Sequence, residues 1–331
     1  MLERVYVLSH TDLDGYFSAG LVETFYKIFL NKDATFKHKS WTYGRDLPSV
    51  DYIKNNFDTV FIVDLCPDFE FMYPLWEKFQ DNFIWIDHHI KPDKECLEHF
   101  SKLTRSEIFG IRETVEHYRS AAALVYNYFE HHIQIPDWLK YISDFDCWNR
   151  TDEEYWNNKV MPMFSYLKSI VTSPQSAVDY INERIKNNQF YDEPEDENYH
   201  QMLDQELNIG KIMYSCTKAA FNSDAKHGFE RVFESVDAET GDIKKYKAWI
   251  CNTQNRSSVL FEDMPNRDDY DVFIPYHFNG EKYLYSMYTF KNEIHCNKMN
   301  VWKDMMIAAS FNGHKDAAGS NSEKFIFDNL A

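Results

Sequence analysis

Positive charge is scarce in this chain: 35 Lys and Arg face 53 Asp and Glu over 331 residues, a formal net charge of -18. A surface that grips long nucleic acid neutralises many phosphates with Lys and Arg, so this balance argues against long nucleic acid as a stable partner. An anionic substrate must then be short, or be met locally by metal ions and a few cations, because the overall field repels polyanions. Cysteine is sparse as well. Cys66, Cys96, Cys147, Cys216, Cys251 and Cys296 lie far apart with no Cys-x-x-Cys pair, which excludes a dense disulfide framework and reads as free thiols in a reducing compartment. No apolar run reaches membrane-spanning length. The start, Met1-Leu2-Glu3-Arg4-Val5, runs straight into a strand-like segment without the regions of a secretory signal. The expectation is a cytoplasmic protein with no membrane partner. Internal repeats and long low-complexity segments are also missing.

What is present is enough apolar material for a sizeable core, 44% of residues with 17% aromatic, in a chain long enough for two domains. From Met1 to about Ile135, short β-branched or aromatic runs alternate with longer amphipathic stretches, the pattern of α/β units. Val5 to Leu8, Val60 to Val63 and Phe83 to Ile86 read as buried strands. Gly15 to Leu30 has apolar residues at helical spacing, and Phe69 to Phe79 supplies a crossover helix, so the second and third strands are expected to be parallel neighbours. Ser120 to His132, Asp137 to Tyr141 and Pro174 to Lys186 look helical. Asn187 to His200 is acidic and reads as an exposed loop or linker. The expected organisation is an α/β domain over 1–186 with a parallel sheet and helices on both faces, a linker over 187–205, and a smaller α/β domain over 206–331. Strands are expected there at Lys247 to Cys251, Asp271 to Pro275 and Tyr283 to Tyr288.

The chemistry gathers at the strand ends. The first strand runs into His10-Thr11-Asp12-Leu13-Asp14-Gly15, the second into Asp64, and the third into Asp87-His88-His89. In a parallel sheet these ends share one edge, where open α/β folds bind ligands. Carboxylates and imidazoles are ligands for hard and borderline metal ions, and Gly15 permits a close backbone approach. A cluster of carboxylates repels itself unless cations neutralise it. Two divalent ions bridged by one carboxylate meet that need, and they also supply the chemistry of an in-line displacement at phosphorus. Each piece alone has an ordinary explanation, since an Asp after a strand commonly caps a helix. The joint pattern at three strand ends does not. A fourth contribution comes from Asp144 or Asp146 at the end of a helix-like segment, with Asp144 preferred and the choice left open.

These residues resemble the DHH phosphoesterases, a family that includes RecJ exonucleases, oligoribonucleases and cyclic dinucleotide phosphodiesterases. His10-x-Asp12-x-Asp14-Gly15 is similar to the first motif, Asp64 to the second, Asp87-His88-His89 to the naming motif, and Asp144 or Asp146 to the fourth. With Asp146-x-Trp148, the pattern looks most like the nano-RNase B oligoribonucleases. The resemblance implies that His10 and Asp12 hold one metal ion, that Asp14, His88 and the fourth-motif Asp hold another, and that Asp64 bridges. It also implies Asp87 as an orienting residue and His89 as a phosphate contact. Two manganese ions are implied, with magnesium as the alternative. Phe311 to Gly319 resembles the Gly-Gly-Gly-His-x-x-Ala-Ala-Gly motif of the family's substrate-binding domain, with Phe311 and Asn312 in place of its first two glycines. Gly313, His314 and Lys315 are therefore expected to contact substrate, with Tyr288, Arg119 and Ser120 as further candidates. The implied reaction is hydrolysis of short single-stranded oligonucleotides, RNA foremost, to mononucleotides. The rivals are a cyclic or linear dinucleotide phosphodiesterase, a RecJ-like exonuclease on single-stranded DNA, and a catalytically idle nucleotide-binding module. Whether the chain forms an oligomer is left open.

Overall fold

Five parallel strands carry the N-terminal half: β1 (Arg4–Ser9), β2 (Thr35–Ser40), β3 (Thr59–Val63), β4 (Phe83–Asp87) and β5 (Glu107–Ile108), in the order β2-β1-β3-β4-β5. The computed structural model describes residues 2–89, 107–108, 119–130, 135–187, 190, 197–254, 258–291, 293–303, 306–313 and 317–327. The three central strands are the runs richest in β-branched and aromatic residues, because both of their faces are covered. Successive side chains leave a strand on opposite faces. On one face Tyr6, Leu8, Ile62 and Trp85 pack with Ile53 of helix Val50–Asn56 and with Met72 and Leu75 of helix Phe69–Phe79. The Trp85 indole N–H donates to the Leu65 carbonyl at 3.0 Å. On the other face Phe61 meets Tyr26, Tyr128 and Phe129. Helices Leu13–Phe25, Ala121–Phe129, Asp137–Asp146 and Pro174–Lys186 assemble there, with Phe17 against Trp138 and Phe25 against Tyr126. Burying each such side chain contributes about 1.5–3 kcal/mol, so the sheet is anchored from both sides.

Register is what positions the site. Ser9 pairs with Val63, and Val63 with Ile86. The next residue of each strand, His10, Asp64 and Asp87, therefore stands beside its neighbours at the carboxyl edge.

The chain divides into two compact units, Met1–Tyr214 and Ser215–Ala331. The second holds an eight-stranded sheet made of β6 (Phe229–Asp237), β7 (Ile243–Asn252), β8 (Val272–Phe278), β9 (Tyr283–Tyr288), β10 (Met299–Lys303), β11 (Met306–Ser310), β12 (Asn312–Gly313) and β13 (Ala317–Ser322), in the order β11-β10-β6-β7-β8-β9-β13-β12. Ile250, Ile274, Tyr285, Met287 and Val301 lie in its core. The expected strands in this half coincide with parts of β7, β8 and β9, except that Asp271 stands just before β8.

Two segments read from the sequence take a different form. The first helix is α-helical only over Leu13–Phe25 and continues as a wider π turn over Tyr26–Leu30. Glu197–Lys226 is one 30-residue helix, where an exposed loop reaching His200 was expected, and the division between the units falls inside it. Its buried residues Tyr199, Leu203 and Leu207 recur every four positions, a helical stripe diluted by the charged residues between them. Among the described residues no helix is long and apolar enough to cross a membrane.

Candidate metal centre

The turn after β1 is shaped by its own polar side chains. Asp12 caps helix Leu13–Phe25, one oxygen accepting from the Gly15 N–H at 2.9 Å, while its other oxygen lies 2.5 Å from His10 Nδ1. A Cβ on residue 15 would sit 2.5 Å from the His10 carbonyl oxygen, closer than real contacts allow, so the turn closes only around glycine. Asp14, on the first turn, points inward and is almost fully buried. Its two oxygens accept from the N–H groups of Ala121 and Ala122 at 2.8 and 3.1 Å, at a helix N-terminus where a negative charge is favoured.

Asp64 follows β3 in the left-handed region, φ +59, which Asp tolerates better than most residues. Its N–H still donates to the Ile86 carbonyl at 3.0 Å, so the β3–β4 ladder carries one residue past the strand. The two carboxylate oxygens face different partners. Oδ2 is 4.0 Å from His10 Nδ1, and Oδ1 is 3.2 Å from His88 Nε2. The same His88 nitrogen lies 3.0 Å from Asp146 Oδ2 and 3.9 Å from Asp14 Oδ2.

The geometry also separates the two acids of the fourth segment. Asp146, the last residue of helix Asp137–Asp146, reaches the cluster. Asp144, two residues earlier, leaves on another face, where it accepts from Lys140 Nζ at 2.7 Å, from the Tyr155 hydroxyl at 2.7 Å and from Asn149 at 2.9 Å. Asp87 lies beside the cluster and accepts from the His88 N–H at 2.9 Å and from His89 Nδ1 at 2.6 Å.

The electrostatics follow from burying so many acids together. Burial, and next the charge of Asp146, pushes the Asp14 carboxyl up to about 7. Burial likewise holds Asp64 well above the ordinary carboxylate range, with Asp14 and Asp12 adding to the effect. Burial alone would lower His88, but its contacts with Asp146 and Asp64 outweigh that and raise it well above the ordinary imidazole value. His10 is raised in the same way, against burial, by Asp12. Asp12 is lowered, since His10 overcomes its own desolvation. Protons thus collect on a cluster that could equally be neutralised by cations.

Among the described residues, three side-chain groups bring donor atoms within 4.8 Å of one another: His10, Asp12 and Asp64; Asp64, His88 and His89; and His88, Asp146 and Cys147. Asp64 Oδ2 and Asp87 Oδ2 are buried without a hydrogen-bond partner. A buried carboxylate oxygen lacking a donor is costly, and Asp64 faces the Asp12 carboxylate, to which it can bond only by taking up a proton. A cation between them removes that need. The donor set, oxygen with imidazole nitrogen, suits manganese or magnesium at the oxygen-rich positions, so the residues fit divalent ions.

No family model matches the chain, and no curated protein matches it. Among solved structures, a DHH domain described as a member of the s1p family of ribosomal proteins superposes with a TM-score of 0.50 at 14% identity, covering 97% of this chain and 82% of that one. This chain has a DHH-type fold. Two further structures are similar at lower scores: exonuclease RecJ bound to manganese, TM-score 0.49 at 12% identity over 99% and 88% of the two chains, and a pGpG-specific phosphodiesterase from Vibrio, TM-score 0.45 at 12% identity over 98% and 94%. At such identities the likeness is one of fold.

The remaining candidates read from the sequence are divided between the two units. Arg119 is exposed. Ser120 is buried, caps helix Ala121–Phe129 and donates its N–H to the Ser143 hydroxyl at 2.9 Å. Tyr288 ends β9 half-buried and pairs with Ala317, while Gly313 pairs with Ala318 in the same sheet. His314 and Lys315 lie outside the described residues. Two neighbours of the cluster went unread in the sequence. Tyr43 accepts from the Cys66 N–H at 3.0 Å and places its ring 6.1 Å from His10 and 6.4 Å from His89. Cys147 puts Sγ 3.9 Å from His88 Nδ1, and burial pushes its thiol up to about 11. Nothing in the residue pattern signals Tyr43, because it follows an unremarked polar strand.

Proposed function

We propose that this protein is a DHH-family phosphoesterase that uses two divalent cations, manganese foremost, to hydrolyse phosphodiester bonds in short single-stranded oligonucleotides, oligoribonucleotides above all, releasing mononucleotides. The observation that carries the reading is the division of Asp64 between two ligand groups, one oxygen toward His10 and the other toward His88. That supports Asp64 as a bridge, with His10 and Asp12 on one ion and Asp14, His88 and Asp146 on the other. Bound there, two divalent ions would acidify a water and neutralise oxygens of the phosphoryl group.

The protein's own groups have separate work. With Nδ1 donating to Asp87, His89 has Nε2 left to face a phosphate oxygen, and in the imidazolium form that nitrogen carries a proton to donate. Asp87 acts through His89 as a positioning residue. The net charge of -18 favours short substrates over long ones. Cys66, Cys216 and Cys251, free thiols in the structure, suit the cytoplasm.

Purified protein with manganese is offered labelled two- to five-nucleotide RNA, longer RNA, single-stranded DNA and cyclic dinucleotides. Fastest turnover is expected on the short RNA. Cleavage of a pyrophosphate or a phosphomonoester with none of these substrates touched would sink the assignment.

A further inference from the structure

We propose that the pocket beside the acidic cluster is a nucleobase subsite, walled by Phe145 and Phe164 and completed by Lys168. The proposal rests on the phosphoesterase reading and names the part of the substrate that this face of the site holds.

The pocket, about 440 Å³, lies in the first unit and takes lining residues from the start of helix Leu13–Phe25 and from helices Asp137–Asp146 and Met161–Ile170. Its size is that of a small-molecule site. One side is formed by Asp12, Asp14 and Asp146, which belong to the cluster itself. A molecule in the pocket therefore adjoins the phosphate-processing centre without an intervening residue. The rest of the lining is largely apolar and includes two aromatic rings. The Phe145 and Phe164 rings are nearly parallel, 15° apart with centroids 3.4 Å from each other, and the fully buried Trp156 ring lies 13° from parallel to Phe145 at 6.0 Å. Leu13, Ile142 and Val171 add aliphatic lining.

This division of character selects the occupant. Carboxylates on one side repel an anion that no cation holds, so the phosphate belongs at the cluster and an uncharged group belongs against the aromatic wall. Flat aromatic walls favour a planar ring, and every nucleobase offers one. Lys168 is the one cation among the described lining residues. Its ammonium lies over the Phe164 ring, 5.5 Å from the centroid, so a base that stacks on that ring displaces the flexible, exposed Lys168 side chain toward the base's edge, where guanine and the pyrimidines carry a carbonyl oxygen. A pocket meant only for aliphatic groups has no use for that donor.

The test uses full-length protein with manganese and compares guanosine 5′-monophosphate with ribose 5-phosphate by calorimetry. The nucleotide is expected to bind about tenfold or more tightly, the scale of one base–aromatic stack. Phe164→Ala should erase most of that difference and Phe164→Trp should keep it. In kinetics, the ratio of kcat/KM for a ribodinucleotide over its abasic analogue should fall about tenfold in Phe164→Ala. Should that variant fail to fold, Lys168→Ala at an exposed position should narrow the gap between guanosine monophosphate and ribose 5-phosphate. Equal binding of the two ligands by the unmodified protein, or an unchanged ratio in the variant, overturns the subsite. Base-dependent binding without any phosphodiester hydrolysis leaves the subsite standing and removes the phosphoesterase reading; hydrolysis that ignores the base does the reverse.

Discussion

Asp14 and Ala121, 107 positions apart, meet in a hydrogen bond of 2.8 Å from the Ala121 N–H to the Asp14 carboxylate, and Ala122 donates to its second oxygen. One residue thus joins the turn after β1 to the start of helix Ala121–Phe129 and also faces His88. Asp14→Ala leaves two buried N–H groups without acceptors, which should cost the metal-free protein about 1–3 kcal/mol. Asp14→Asn keeps one acceptor and removes the charge, so its loss should be smaller. Urea unfolding with metal chelated measures both, and equal losses would show that the two N–H contacts contribute little.

The stability of the metal-free protein should fall as pH rises. Asp14 holds its proton up to about 7 in the folded chain against an ordinary 3.8, so between those values the native state binds a proton that the unfolded chain has released. Stability is fully present below the unfolded value and is lost through the folded one, by up to about 1.4 kcal/mol per pH unit for one proton. Asp64 and His88, both raised, act with the same sign; Asp12, lowered, acts oppositely only below its ordinary 3.8. Because a bound cation displaces those protons, manganese affinity should rise over the same window. Melting temperatures from pH 5 to 8, with chelator and with manganese, read both trends. A flat chelated curve would contradict the first.

The fold was legible where burial is uniform and obscure where it is partial. Val5 to Leu8, Val60 to Val63 and Phe83 to Ile86 stand out because both faces of the central strands are covered. Edge strand β2, Thr-Phe-Lys-His-Lys-Ser, alternates exposed and half-buried positions and carries no such run, so it was missed together with Tyr43 beyond it. The cluster was legible because residues following in-register parallel strands must converge. The choice between Asp144 and Asp146 was not, since it depends on rotation about a helix axis: two positions turn the side chain by about 200°, and nothing in the residue types says which faces inward.

Asp64→Asn is the informative change at the proposed bridge. Asn tolerates the left-handed backbone that Asp64 adopts, whereas Ala there adds about 1–2 kcal/mol of strain unrelated to metal binding. Removing one carboxylate from a self-repelling cluster should leave the chelated protein as stable as before or more so, while the rise in melting temperature on adding manganese should largely vanish. Hydrolysis should vanish with it. A variant that keeps the full manganese-induced rise would refute Asp64 as the bridge.

Asp146→Asn and Asp144→Asn should part company in opposite measurements. Asp146 reaches His88 but is not the centre of a structural network, so its loss should lower kcat on the order of 100-fold or more with a modest change in melting temperature. Asp144 accepts from Lys140, Tyr155 and Asn149 at 2.7 to 2.9 Å. Its replacement should cost about 1–3 kcal/mol of stability through donors left poorly matched, while the folded fraction retains near-normal turnover. Rates normalised to folded protein, set beside urea midpoints, separate the two. A catalytic collapse in Asp144→Asn with Asp146→Asn active would place the fourth ligand on the other face of the helix and contradict the geometry at His88.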